Sequence, residues 1–481
     1  MTNQTTLQRS LKPSWVFAMA LGSAVGWGAF ILPFTWATTG GLLGTFIGFL
    51  IGGAMISIIA VSYGYAIEKL PVTGGGVAYA LASLGRLHGF IAGWALTLGY
   101  SGIVALNASA VTLVFRVTLP EFIMQWKLYS VAGWDIYLPE VLIATLFIVG
   151  FAVLNASGAA ISGRFQYFAV LTMLVSVGII LVCSLYYLII DQPVLPPAFP
   201  ENVAPWSAIA TIVAFAPWAY VGFDTVPQLA GEFKFSPKKA FSLLMWGVIA
   251  ATAIYLAMML SVSVAVSSER DSYAELAWPT ATAIADMMGK GGFILMVIAV
   301  SMGVLTGLNG FYASSSRVLY TMSNAGMIPR IFGRLHPTFK TPVYGIAFVA
   351  ALCLITPWFG RSALLWIVDM TSVGIAIVYF YVCFCAYKIA KQGKVFGMSS
   401  EVTPSPAHKV IAVLGCMFSL GFLCLLLVPG SPGQLTAPSF IALVFWVVLG
   451  VVFYLSLRSS YLERTDEQIL EAVFNENTSH S

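Results

Sequence analysis

Long hydrophobic stretches separated by short polar segments make up most of the chain. Twelve of these stretches have about the 20 residues that a helix needs to cross the hydrocarbon core of a bilayer. They lie at residues 14–38, 41–66, 88–115, 138–156, 165–190, 206–231, 240–266, 291–320, 342–360, 364–388, 409–429 and 437–457. This pattern predicts an all-α polytopic membrane protein with 12 transmembrane helices.

The composition supports the same class of protein. Only 9% of the residues are charged and 59% are hydrophobic, and the mean hydropathy is +0.90. Soluble domains carry about 25% charged residues, because their surfaces must face water. Such a composition excludes an intrinsically disordered chain and a nucleic-acid-binding protein, which needs a dense basic surface. The lipid bilayer is therefore the expected surrounding of this chain.

Basic residues are distributed unevenly between alternate polar segments. If both termini are cytoplasmic, the outer segments carry only Arg116, Lys127, Arg270, Lys290 and Arg361, and the other 18 of the 23 basic residues lie inside. Short cytoplasmic loops are enriched in lysine and arginine. The sequence therefore predicts a multi-pass protein of the plasma (cytoplasmic or inner) membrane with both termini in the cytoplasm.

Two of the predicted spans contain residues that interrupt helices. The first span holds the run LGSAVGWGAFILP, in which three glycines precede Pro33, and the sixth holds FAPWAYVGFDTVPQLAGE, in which Gly222 lies between two prolines. Glycine weakens a helix, and proline removes a hydrogen-bond donor. At membrane depth, freed backbone groups are tolerated only where protein or a water-filled cavity satisfies them. We therefore expect broken first and sixth helices.

The spacing of the two breaks indicates an internal repeat. The first ten spans divide into five plus five, and each half begins with a broken span. Broken helices at corresponding positions of two halves are typical of inverted repeats with a binding site at the bilayer midplane. The N-terminus of a half-helix offers N–H groups to a carboxylate, whereas exposed carbonyl groups attract an ammonium group or a small cation.

Four motifs, in order along the chain, resemble the amino acid–polyamine–organocation (APC) transporter superfamily. They are GWGAF, which starts at Gly26; PVTGGGVAYALASLGRLHGFIAGW at residues 71–94; the aromatic run that ends in an acid at residues 218–224; and SSSRVLYTMSNAGMIPRIFGRLHPTFKTPV at residues 314–343. Together they extend over about residues 14–400. The chain is therefore identified as a member of this superfamily.

The resemblance implies secondary transport of an amino acid or a related amine by a fold of five plus five inverted helices with two more helices at the C-terminus. In this interpretation residues 1–13 are a cytoplasmic N-terminus and residues 14–400 form the inverted-repeat transport core. Two additional membrane helices occupy residues 401–457, and residues 458–481 form a polar, partly helical cytoplasmic tail that is expected to be solvated.

The resemblance also implies a substrate site at the two breaks. The backbone from Ser23 to Gly28 would hold a carboxylate, the backbone from Ala216 to Gly222 would accept an amino group, and Trp218 would close over the substrate as an aromatic gate. Other members of the site would face it from the third and eighth spans. The candidate substrate-binding residues are Ser23, Ala24, Gly26, Trp27, Gly28, Tyr100, Ser101, Ala216, Trp218, Ala219, Tyr220, Gly222 and Phe311.

Two departures from the superfamily pattern affect substrate size and coupling. Trp27 occupies a position that is usually small, so the cargo is expected to be small if its ring points into the cavity. Proton-coupled members often carry a lysine where this chain has Met173. Without this lysine, three possibilities remain for the protein: coupling to sodium, coupling to a proton carried by another residue, or exchange without an ion.

The candidate coupling residues are Asp224, Ser301 and Thr306. Ser301 and Thr306 could offer oxygen ligands to sodium. Asp224 is an acid inside an apolar span, which is a functional hypothesis by default, although it could equally be a structural acceptor for nearby N–H groups. A second acid within a span, Asp369, is expected to reach the outer interface because it lies close to Arg361.

Other classes of function receive less support from the sequence. All four histidines fall in loops or in the tail, and no spacing typical of a metal or nucleotide site is present, so we expect no enzyme and no cofactor. A nutrient sensor with the same fold would usually carry a long signalling extension. A polyamine or organic-amine antiporter remains the alternative within transport, although Asp224 is the only acid near the expected site.

Overall fold

A computed structural model describes residues 7–266, 273, 276, 278–395, 398, 401–431, 433–457 and 465–474, with only the backbone for residues 361–365, 367–368, 466–467 and 470–471. Most of these residues are helical. The helices are α1 (Pro13–Val25), α2 (Gly28–Ile31), α3 (Pro33–Lys69), α4 (Gly75–Leu84), α5 (Arg86–Thr118), α6 (Pro120–Ile123), α7 (Leu138–Ala156), α8 (Ala159–Ile190), α9 (Pro205–Ala214), α10 (Ala216–Ala219), α11 (Thr225–Gln228), α12 (Pro237–Ala265), α13 (Pro279–Asn324), α14 (Val343–Ile355), α15 (Gly360–Gln392), α16 (Pro406–Leu427), α17 (Ala437–Ser456) and α18 (Asp466–Phe474).

Nine helices of the described part are long and apolar enough to cross a membrane. They are α3, α5, α7, α8, α12, α13, α15 from Asp369 onward, α16 and α17. Shorter apolar helices are α1, α4 and the segments Pro205–Ala219 and Val343–Phe359. The protein is thus a helical polytopic membrane protein, as the hydrophobic pattern predicts. Residues 267–272, 274–275 and 277 lie outside the described residues, and α13 begins with a helical segment that ends at a kink at Gly289.

The chain leaves the helical conformation at both predicted breaks. α1 ends at Val25, Gly26 has a φ of 51°, and α2 begins at Gly28. In the sixth span, α10 ends at Ala219 and α11 begins at Thr225, and the intervening Gly222 has a φ of 133°. Only glycine adopts these φ values without strain. The glycines therefore set the places where the two spans are interrupted.

The prediction of a purely helical chain is wrong in one loop. Two antiparallel strands, β1 (Lys127–Val131) and β2 (Trp134–Tyr137), form a hairpin between α6 and α7. Ala132 and Gly133, with φ values of 48° and 79°, make the two-residue turn, and such turns require positive φ at both positions. Strands of five and four residues are too short to give a clear alternating pattern in a chain that is mostly apolar.

Two ends of the helical bundle can be distinguished. We call the end that carries residues 10–12 and the end of α11 the terminus face, and the end that carries the β-hairpin the hairpin face. On the terminus face, the N–H groups of Ser10 and Leu11 both donate to the carbonyl of Glu232 at 2.9 Å. On the hairpin face, Trp278 Nε1 donates to the Phe30 carbonyl at 3.0 Å. The first contact holds the chain next to the breaks on the terminus face, and the second holds it on the hairpin face.

The expectation of a fully solvated tail is also wrong. The C-terminal helix α18 packs against α4 and α13. Ile469, Val473 and Phe474 are buried in the main hydrophobic core. Polar residues surround these three in the sequence, so the composition of the tail conceals one apolar helix face. This face is recognisable only in the structure, where it packs against α4 and α13.

Candidate functional site

The two breaks contact each other through their backbones. A Cβ atom placed on Gly222 would lie less than 3.0 Å from the main-chain N of Ala24 and from the carbonyl group of Ser23. Real Cβ atoms essentially never approach other atoms so closely. The sixth span therefore meets the first span at a point where only glycine fits. Backbone N–H and C=O groups of both spans that have no partner within a helix therefore lie close together at this place.

A small cavity of about 20 Å³ lies at the junction of the breaks. Its volume is enough for about one water molecule, so this conformation leaves little room for a ligand. The lining residues come from both breaks, α5, α12 and α13. They are Ser23, Ala24, Val25, Gly26, Trp27, Gly28, Ile103, Leu106, Asn107, Trp218, Ala219, Val221, Tyr255 and Phe311.

Eight of the thirteen candidate substrate residues thus lie at this cavity. They are Ser23, Ala24, Gly26, Trp27, Gly28, Trp218, Ala219 and Phe311. Val25 and Val221 also line the cavity and fall within the expected backbone ranges 23–28 and 216–222, whereas Ile103, Leu106, Asn107 and Tyr255 were not expected there. The residues of α5 and α12 carry no local signal, because only helix packing brings them to the breaks.

Two tryptophans occupy one side of the cavity. The ring of Trp27 meets the ring of Trp218 edge to face, with a centroid distance of 5.5 Å. Gly28 lies against the Trp218 ring, and a Cβ at Gly28 would come within 3.0 Å of it. The bulky ring at position 27 therefore points to the cavity rather than into lipid. Both rings reduce the room that a ligand could occupy.

Two polar atoms at the cavity are buried without a partner among the described residues. They are Ser23 Oγ and Asn107 Oδ1. The Asn107 amide nitrogen is already used, since it donates to the Ile103 carbonyl at 2.8 Å. Gly307 and Gly310 of α13 leave room for these side chains, because a Cβ at either position would collide with them. Buried polar groups are normally hydrogen-bonded, so the two atoms indicate a polar ligand or water at this place.

The hydroxyl of Tyr255 connects the two breaks. This hydroxyl lies 2.9 Å from the Ala24 carbonyl and 2.5 Å from the Ala219 carbonyl. The two carbonyls belong to the ends of α1 and α10, where helical partners are missing. The single proton of the Tyr255 hydroxyl therefore lies within reach of a carbonyl at each helix end. In the sequence it looks like one more aromatic residue of an apolar span.

Asp224 is fully buried below the cavity and does not line it. Its Oδ2 accepts from the Tyr100 hydroxyl at 2.6 Å, and its Oδ1 accepts from the N–H of Gly222 at 2.8 Å. Oδ2 thus connects the break of the sixth span to α5, whereas Oδ1 stabilises the turn within the break itself. Tyr100, a candidate substrate residue, acts here as a donor to the acid, while its ring lies 5.4 Å from that of Phe311.

The remaining candidate substrate residues lie around the site but not on the cavity. Ser101 lines a separate cavity between α5, α14, α15 and α17. Ala216 packs against Gly52, and the Tyr220 hydroxyl donates to the Phe49 carbonyl at 3.1 Å, so both fix the sixth span on α3. Asp369, the second intramembrane acid, accepts from Ser439 Oγ at 2.7 Å and thereby ties α15 to α17.

The candidate sodium ligand Thr306 belongs to a buried polar cluster between α1, α7, α8 and α13. Its hydroxyl lies 3.0 Å from the Gly22 carbonyl. The amide nitrogen of Gln166 donates to the carbonyls of Ala18 and Thr306, both at 3.2 Å, and its oxygen accepts from Asn309 at 2.8 Å. Ser301, the other candidate, is half-buried on α13. The amide of Gln166 thus contacts carbonyl groups of both α1 and α13.

A buried ion pair closes the terminus face beneath the site. Arg317 of α13 and Glu232, which follows α11, form two hydrogen bonds at 2.7 and 3.0 Å, and their side chains are 1% and 2% exposed. The same Glu232 holds the segment before α1 through its carbonyl. The pair therefore connects the lower halves of both broken spans to α13. Within the described residues, no three His, Cys, Asp or Glu residues are arranged as a metal site.

Comparison with known proteins identifies the family. The profile described as amino acid permease matches residues 11–453. The methylthioribose transporter of Bacillus subtilis (strain 168) is 26% identical over 356 residues, which cover 70% of this chain and 72% of the relative. The serine/threonine exchanger SteT of the same organism is 25% identical, with 87% and 92% covered, and its branched-chain amino acid permease BcaP is 23% identical, with 94% of each covered. The match extends over nearly the whole chain, and the protein therefore belongs to the amino acid permease family of the APC superfamily, a family of membrane transporters.

Proposed function

We propose that this protein is a secondary transporter that moves a small zwitterionic amino acid across the cytoplasmic membrane by alternating access, as a symporter or an exchanger. The observation that carries the proposal is the small cavity between the two breaks, lined by Ser23 and Asn107, whose Oγ and Oδ1 atoms are buried without a partner in the described part of the chain. The proposed substrate site consists of this cavity and the backbone groups that surround it.

A zwitterion fits the chemistry of the lining. The first N–H groups of a helix have no acceptor within the helix, so the start of α2 at Gly28 would bind a carboxylate together with the Ser23 hydroxyl. Asn107 Oδ1 and the carbonyl groups at the end of α10 would accept an ammonium group. The lining residues include no Asp, Glu, Lys or Arg. A ligand with balanced charges is therefore favoured over one with a net charge.

The same lining weakens the alternative of a polyamine or organic-amine antiporter. An excess of positive charge in a site of low polarity requires a neighbouring acid. Asp224, the acid nearest in sequence to the break, already accepts hydrogen bonds on both oxygens and does not line the cavity. The facing rings of Trp27 and Trp218 also favour a short side chain. One of the relatives is a serine/threonine exchanger, which agrees with a small amino acid as substrate.

The proposed architecture is 12 membrane spans, with two inverted repeats of five and two further helices. Shorter helices would form the three spans that the nine long helices leave out. These spans are α1 with α2, α9 with α11, and α14 with the turn that follows it. The breaks at Gly26 and Gly222 lie in the first span of each proposed repeat. The excess of lysine and arginine on the segments of the terminus face supports a cytoplasmic location for that face.

Transport by the reconstituted protein tests the proposal. Proteoliposomes would be offered labelled amino acids and amines under separate sodium and proton gradients, and with or without unlabelled amino acid inside. Saturable uptake of a small zwitterionic amino acid is expected. Dependence on internal amino acid would identify an exchanger, whereas dependence on one gradient would identify a symporter. Binding without uptake would instead indicate a sensor, and selective uptake of amines would favour the antiporter.

Removing the Trp218 ring is expected to reduce uptake at least tenfold in Trp218→Ala, since this ring forms a wall of the cavity and contacts Trp27. Trp218 is partly buried, and loss of its ring would leave a gap in the cavity wall and disturb the packing around the substrate. The measurement is the initial uptake rate per amount of inserted protein. Trp246→Ala is the matched control, because Trp246 is exposed on α12. Equal rates in the two variants would remove Trp218 from the site.

A further inference from the structure

The C-terminal helix α18 has its own start signal and one apolar face. Thr465 Oγ1 accepts from the N–H of Gln468 at 3.2 Å, and Gln468 Oε1 accepts from the N–H of Thr465 at 3.0 Å. This reciprocal pair is a capping box, which fixes the beginning of a helix. Ile469 and Val473, four residues apart and so on the same helix face, are 1% and 6% exposed. The helix is therefore specified by its own sequence and docked by its apolar side.

The docking place is the joint between α4 and α13 on the terminus face. α18 packs against both helices. The two meet each other near the beginning of α4, where Thr321 of α13 donates to the Thr73 carbonyl at 3.1 Å. A Cβ at Gly74 would collide with the Thr321 side chain, so the two segments are in close contact. α18 thus contacts both of the helices that meet at this joint.

The joint also holds the lower half of the sixth span in place. The N–H of Gly74 donates to the Gln228 carbonyl at the end of α11 at 3.1 Å, and Gly75 packs against Pro227. On α13, Arg317 lies one helical turn before Thr321 and pairs with Glu232 just beyond α11. If the terminus face opens, α11 must separate from α4 and α13. Anything that clamps α4 onto α13 resists this movement.

We propose that α18 is an autoinhibitory latch, which clamps α4 to α13 and slows the opening of the terminus face. The latch rests on the proposed transport function, because its effect is on the rate of the conformational cycle. It occupies no part of the cavity between the breaks. Weakening it should therefore raise the transport rate without changing the order of preference among substrates.

The test uses the full chain with the double substitution Ile469→Ser and Val473→Ser, which makes the docked face polar. The matched control is Ile469→Val with Val473→Ile, which keeps the apolar face and the total number of carbon atoms. In proteoliposomes the polar variant is expected to take up substrate roughly three to ten times faster than the control, because the closed state loses part of its stabilisation. An unchanged or lower rate at equal insertion would overturn the latch.

Hydrogen exchange in detergent keeps the latch testable even if no amino acid is transported. The amides of α4 are expected to exchange faster in the polar variant than in the control, because release of α18 loosens the joint. Equal protection of α4 in both proteins would refute the clamp. A failure of uptake in the unmodified protein would count against the transport proposal, and the exchange comparison would still decide the latch.

Discussion

Gly222→Ala is expected to abolish or nearly abolish uptake, and this is one of the two largest effects that the structure predicts. Position 222 has a φ of 133°, which an alanine adopts only with strain. Its added methyl group would also collide with the backbone of Ser23 and Ala24. Backbone strain and overpacking together cost roughly 2–5 kcal/mol. The two breaks would be forced apart, and the cavity between them would lose its shape.

The measurement is initial uptake in proteoliposomes, normalised to the inserted protein and accompanied by the thermal unfolding temperature in detergent. Gly178→Ala is the matched control, because Gly178 lies on α8 with open space where a Cβ would be placed. The control is expected to transport normally and to unfold at an unchanged temperature. Near-normal uptake by Gly222→Ala would show that the breaks need not touch, and the assigned site would be withdrawn.

Arg317→Ala is expected to destabilise the folded protein strongly, since the Glu232 carboxyl would be left buried without its hydrogen-bonded partner. The side chains of the pair are 1% and 2% exposed, and the guanidinium also donates to the Ala313 carbonyl and to Ser316 Oγ. Removing one partner of a buried ion pair costs about 3–5 kcal/mol. The thermal unfolding midpoint in detergent should fall sharply, and little folded protein should accumulate.

A second variant separates the charge from the loss of packing. Removal of both charges, in Arg317→Met with Glu232→Gln, is expected to recover much of the stability, because no buried charge remains uncompensated. Lys394→Ala is the comparison for an exposed pair, as Lys394 and Glu401 are 55% and 76% exposed at 3.5 Å, and such pairs contribute at most about 1 kcal/mol. If Arg317→Ala unfolded at the same temperature as Lys394→Ala, the buried pair would not hold the terminus face closed.

The ion pair and the proposed latch act on the same joint in different ways. Glu232 and Arg317 connect α11 directly to α13, and the docked tail helix presses α4 onto α13 from outside. Loss of the pair is expected to cost stability, whereas loss of the latch is expected to raise the transport rate. The two sets of variants therefore distinguish a structural brace from a regulator of the cycle.

The breaks could be predicted from sequence because their cause is local. Several glycines followed by a proline weaken a helix locally, and the consecutive residues 23–28 bring their backbone to the gap. Trp218 lies beside the second break in the chain, and its place at the site was implied by the resemblance to the APC superfamily. For these residues the chain neighbours determine the environment, so knowledge of one segment is sufficient.

Asn107 and Tyr255 could not be predicted, because their roles depend on helices distant in sequence. Asn107 fits beside the cavity because Gly307 of α13 leaves space there. The Tyr255 hydroxyl reaches the carbonyls at the two breaks only because α12 passes the ends of both α1 and α10. The buried face of α18 was hidden for the same reason, as a short apolar stripe gives no sign of its docking surface. The β-hairpin was missed because its strands are too short to show a period.

The sequence by itself determined that this chain is a multi-pass helical membrane protein with two interrupted spans, because apolar length and helix breakers act through local backbone chemistry. Only the tertiary structure decided that the interruptions meet at Gly222. It also decided that the two carboxylate oxygens of Asp224 accept hydrogen bonds from Gly222 and Tyr100, and that Asn107 lines the cavity. These outcomes depend on how side chains from separate helices fill the same space, and the order of residues in any one helix does not contain that information.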